Sequence, residues 1–86
     1  MEILENLGDI LQEATKTALM TVAQYWLDLA TKCTHRGEHY QALCQYKMAA
    51  GYFFELGDKK RLREIFRKRP DVKGLLSTEI VEFCDL

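Results

Sequence analysis

The chain has 86 residues, 48% of them apolar and 10% aromatic, and its 12 basic and 13 acidic side chains give a formal net charge of −1. A length of this order makes one small domain, residues 1–86, that buries about 60–65% of the surface its unfolded chain exposes, and the apolar content excludes global disorder. The near-neutral balance leaves no overall field to attract nucleic acid or a membrane surface, and no apolar run reaches the ~20 residues that a membrane-crossing helix needs.

The first long segment is predicted to be a helix from about Asp9 to His35. Leu11, Ala14, Ala18, Val22, Trp26, Leu29 and Cys33 recur at steps of three and four, the period of one helical face. Asp9 with Gln12 resembles a capping box, and Gly8 separates it from a preceding turn that holds Ile3, Leu4 and Leu7. A helix of this length either breaks near Thr21 or projects beyond its neighbours. Before it, the start of the chain lacks the basic and long apolar regions of a secretory signal. With an odd count of three cysteines (Cys33, Cys44 and Cys84), that predicts a soluble, cytoplasmic protein with reduced thiols.

Arg36, Gly37 and Glu38 form the first predicted turn, because glycine tolerates positive φ and Lys32, His35 and Arg36 suit a helix C-terminus. The second helix runs from about Glu38 to Leu56, with Ala42, Leu43, Tyr46, Ala49, Ala50, Phe53 and Phe54 facing inward. Gly51 sits inside it at a cost of about 1 kcal/mol relative to alanine; a close helix crossing there is the expected reason. Gly57 ends this helix and Asp58 caps a third, which carries Leu62, Ile65 and Phe66 on one face and stops before Pro70. A turn over 71–76 and a short helix over 78–84 complete the chain.

The two turns echo each other. Gly37 and Gly57 are each followed by an acid, and Ala42 and Leu62, then Tyr46 and Phe66, fall at matching offsets. The second helix thus serves as the second arm of one hairpin and the first arm of the next, a helical zigzag. Within it, Trp26, Leu29, Ala30, Cys33, Gly37, Ala42, Leu43, Tyr46 and Ala49 carry a spacing that resembles the tetratricopeptide repeat over residues 23–50. Ala30 stands where that family has glycine, Cys33 where it has an aromatic, and its usual proline after the second helix is absent. The run from Gly37 through Tyr40, Ala42, Leu43, Tyr46, Ala49 and Tyr52 to Phe53 is also similar to the second helix of microtubule-interacting-and-transport domains, three-helix bundles that bind helical peptides; Pro70 interrupts where their third helix continues. The tetratricopeptide resemblance implies an all-α fold of four helices as stacked antiparallel hairpins, an α-solenoid segment. It also implies a peptide groove lined by the first helix, from Gln24, Leu27, Thr31, Thr34 and His35. Leu27 lies just off the main stripe, as an exposed anchor does, and Tyr25, Tyr40 and Tyr52 are further candidates to face a partner.

Two other constellations bear on function. Cys33, His35, His39 and Cys44 place four potential zinc ligands within twelve residues, but Cys33 falls on the core face and the histidines suit a helix end, so no metal or other cofactor is expected. No nucleophile elbow, phosphate-binding glycine loop or oxyanion-stabilising loop is present, which argues against an enzyme. Lys59, Lys60, Arg63 and Arg67 belong to a basic stretch over 59–69 that is either a solvated helix face or an anion-binding site. The expected function is therefore a non-enzymatic protein–protein interaction or adaptor module for a protein or peptide partner, with homodimerisation as a specific form because so short a solenoid lacks polar capping repeats. The alternative is an RNA- or anionic-membrane-binding module that uses residues 59–69.

Overall fold

The computed structural model describes the backbone of residues 2–85 and the side chains of residues 13–85. Over this range the protein is all-α. Helix α1 spans Glu2–His35, α2 His39–Glu55, α3 Lys59–Lys68 and α4 Thr78–Asp85, with a 3₁₀ helix over Pro70–Leu75 between the last two. At about 1.5 Å per residue, the 34 residues of α1 span about 51 Å, and the molecule measures 53 × 28 × 17 Å. Its radius of gyration is 15.1 Å, against about 12 Å for a compact chain of this length. The long first helix accounts for the difference.

One expectation for α1 changes, and one of its two alternatives drops out. The helix passes through Gly8 and begins at Glu2, upstream of Asp9; the side chains of the proposed capping box and of Ile3, Leu4 and Leu7 lie outside the described residues. Nor does it break near Thr21. The hydroxyls of Thr17 and Thr21 donate to the carbonyls of Glu13 and Thr17 at 2.9 Å, so both threonines are satisfied inside the helix.

The α1 face that meets α2 is also rotated from the expected stripe. Ala23, Ala30 and Cys33 are buried, with Met20, Trp26 and Leu27 packed beside them, while Ala14, Ala18 and Val22 are exposed. Opposite lie Ala42, Tyr46, Ala49, Ala50 and Phe53 of α2, all buried as the spacing predicts. Alanine at five positions of this seam leaves little side chain to hold the helix axes apart. Close approach, rather than a row of large residues, selects the face.

The turns between helices are built alike. The N–H of Gly37 donates to the Thr34 carbonyl at 3.1 Å, and that of Glu38 to Cys33 at 2.9 Å. Twenty residues on, Gly57 donates to Phe54 and Asp58 to Phe53, both at 2.9 Å. Each is a Schellman motif with its glycine at positive φ, +77° and +69°. The sequence echo is therefore a repeated helix stop. After the second stop, Leu62, Ile65 and Phe66 of α3 and Val72 of the 3₁₀ helix close over Phe53 and extend the core. Arg69 holds the bend at Pro70 through two hydrogen bonds to Asp71, at 3.1 and 2.8 Å. That pairing keeps the Asp71 carboxyl below its ordinary pKa and raises that of Arg69.

Candidate functional site

The five α1 residues implied by the tetratricopeptide resemblance do not assemble into an apolar groove. Gln24 is engaged at both ends of its amide: Nε2 donates to Asp28 at 3.0 Å and Oε1 accepts from Arg61 at 3.4 Å. The hydroxyls of Thr31 and Thr34 donate to carbonyls of their own helix, at Leu27 and Ala30. Leu27 is half-buried against the core rather than standing out as an anchor, and His35 is exposed beside the turn. The zinc-ligand candidates are likewise separated. Cys33 is buried and Cys44, His35 and His39 are exposed, and among the described residues no three His, Cys, Asp or Glu side chains cluster to hold a metal.

The basic residues do share a surface. Lys59, Lys60, Arg63 and Arg67, with Glu64, line one shallow depression along α3. Two of the four are already engaged. Arg63 Nε donates to the Cys84 carbonyl at 2.9 Å, and Lys59 Nζ lies 5.1 Å from the centre of the Phe83 ring. Both contacts fasten α4, as does the edge-on packing of Phe54 and Phe83 at 5.3 Å. Lys60 and Arg67 are the members left to solvent.

An apolar groove opens elsewhere, between α2 and the C-terminal segment. Met48, Gly51 and Tyr52 form one side and Leu75, Leu76 and Ile80 the other, around a volume of about 400 Å³. Lys47 and Glu55 stand at its rim. Met48 and Leu75, on its two sides, are each 42% exposed. Tyr52 belongs to this groove, whereas Tyr25 and Tyr40 are exposed on other surfaces.

Gly51 explains the opening and corrects an expectation. A methyl group built on its Cα meets nothing within 4 Å, so among the described residues no helix crosses closely there. The glycine faces the groove and leaves the α2 backbone bare at its floor. Sequence reasoning does not find this site, although two signals are present: a glycine in mid-helix, and Met48 off the inward stripe of α2. What the sequence does not reveal is that the 3₁₀ helix brings Leu75 alongside α2. Comparison with known families, with curated proteins and with solved structures returns no match for this chain.

Proposed function

We infer that the protein is a non-enzymatic helical interaction module, related in its hairpin spacing to tetratricopeptide repeats, that docks a polypeptide in the groove between α2 and the C-terminal segment. Gly51 carries this reading. A glycine inside a helix costs about 0.8–1 kcal/mol relative to alanine, and among the described residues no contact needs the space it leaves. The vacancy does lower the floor of an apolar groove whose walls include exposed Met48 and Leu75. An adaptable methionine, an aromatic ring and branched aliphatic residues around a bare backbone suit the apolar face of a docked helix.

The second reading, an anion-binding face on α3, has one observation in its favour: its four basic residues border a common depression. The engagement of Lys59 and Arg63 with α4 gives half of that charge a structural role. Exposed aromatics for base stacking and a wide apolar face for membrane insertion are missing from the described part of α3.

Photo-crosslinking separates the two. A benzophenone side chain at position 48 is expected to form adducts with a polypeptide, while the same probe at position 60 gives none. Adducts confined to position 60, with steeply salt-dependent binding to RNA or acidic vesicles, would overturn the groove reading.

A further inference from the structure

The groove has a symmetry that selects its occupant. Lys47, Gly51 and Glu55 lie four residues apart along α2, and all three border the groove. Spacing of four keeps them on one face, with the lysine and the glutamate about 12 Å apart along the axis. Gly51 is the midpoint between them. Neither charge has an ion-pair partner among the described residues, and both are exposed.

A pattern of cation, bare backbone and anion is complementary to itself when reversed. If a second α2 lies antiparallel on the first and the two cross at their glycines, each Lys47 meets the Glu55 of the other copy. Such self-complementarity about one point is what an isologous two-fold interface requires. The absent side chain at the crossing lets two backbones approach closely, as small residues do at tight helix crossings. Met48 and Leu75, exposed in one copy, then have an apolar groove to enter in the other. A foreign helix would have to supply the same charge pair in the same reversed order; this chain already carries it.

We propose that the groove docks a second copy of this chain, α2 antiparallel to α2 about a two-fold axis at Gly51, with Lys47 of each copy paired to Glu55 of the other. This rests on reading the groove as a polypeptide-docking site and names its occupant.

The test is a charge swap on the full chain, read by sedimentation velocity and light scattering from micromolar to millimolar concentration. The wild-type protein is expected to dimerise. Lys47→Glu and Glu55→Lys each replace two attractive pairs with two repulsive ones and are expected to weaken the dimer by about tenfold or more. The double variant Lys47→Glu/Glu55→Lys restores opposite charges across the axis and is expected to recover the dimer. Gly51→Leu, whose Cβ meets nothing within 4 Å in its own chain, is expected to stay folded by circular dichroism and to sediment as a monomer. A dimer indifferent to either single reversal, a double variant that stays monomeric, or a wild-type chain that is monomeric throughout overturns the proposal. The benzophenone probe at position 48 keeps the two claims apart. A monomeric chain that still crosslinks there to another polypeptide refutes self-pairing and leaves the docking site standing; a monomer without adducts refutes both.

Discussion

Cys44 and Cys84 carry the same thiol in opposite surroundings. Cys44 is exposed on α2, whereas Cys84 is buried under α3, and burial pushes its pKa upward. Because the thiolate is the reactive form, a maleimide at neutral pH is expected to modify Cys44 first and to reach Cys33 and Cys84 only after denaturant is added; mass spectrometry of the labelled peptides checks the order. The raised pKa also gives a pH dependence. The folded thiol stays protonated where the unfolded one ionises. Its contribution to stability is therefore full below the unfolded value of about 8.5 and is lost as pH rises through the folded value. The melting temperature is expected to fall on the alkaline side, and Cys84→Ala to remove part of that fall. Residue types of this kind were legible in the sequence, but their direction was not. Gly51 stood out as a glycine inside a helix, yet periodicity alone does not say whether it faces a neighbouring helix or an open groove. Leu27 and Val22 show the same limit: a rotation of α1 by less than a residue spacing exchanges which of them packs and which is exposed.

At the scale of elements the sequence is more informative, because helix stops rest on local chemistry. Gly37, Gly57 and Pro70 mark three of the chain's boundaries, and each does so through its own backbone preferences. The two glycine stops differ in the acid that comes after the glycine. Asp58 accepts a hydrogen bond from the Arg61 N–H at 3.1 Å and caps α3, while Glu38, one methylene longer, makes no side-chain cap to α2. Asp58→Ala is expected to cost about 1 kcal/mol, and Glu38→Asp to gain a few tenths up to about 1 kcal/mol. Urea midpoints should move in opposite directions for the two variants at an unchanged slope. Equal, negligible shifts would show that packing against the core, not capping, sets both helix starts. The start of α1 was less legible, since a glycine flanked by good helix formers costs about 1 kcal/mol without obliging a break.

Across the whole molecule, the basic face and the groove are linked through the C-terminal segment. Leu75, Leu76 and Ile80 form one wall of the groove, and Ile80 belongs to α4. An eight-residue helix has little stability of its own, so α4 depends on what fastens it. Arg63 holds its carbonyl at Cys84, and Lys59 and Phe54 hold its ring at Phe83. Charge pattern alone gives no sign of this, because a solvated stripe and a set of fasteners have the same composition. Removing a fastener is therefore expected to act at a distance. A partly exposed hydrogen bond of this kind contributes about 1 kcal/mol, enough to raise the open population of α4 about fivefold without unfolding the α1–α2 seam. In Arg63→Ala, amides over 78–85 should exchange faster by about that factor while those of Ala49, Ala50 and Phe53 keep their protection. Occupancy of the groove should weaken with them, although Arg63 does not line it. Lys60→Ala and Arg67→Ala, which remove charge from the same depression but have no hydrogen bond, ion pair or ring contact to α4 among the described residues, should leave both exchange and docking unchanged. If all three variants behave alike, charge on α3 acts on the docked polypeptide directly and α4 is not the intermediary. If only Arg63→Ala is affected, the basic stretch serves chiefly to keep the groove's second wall in place.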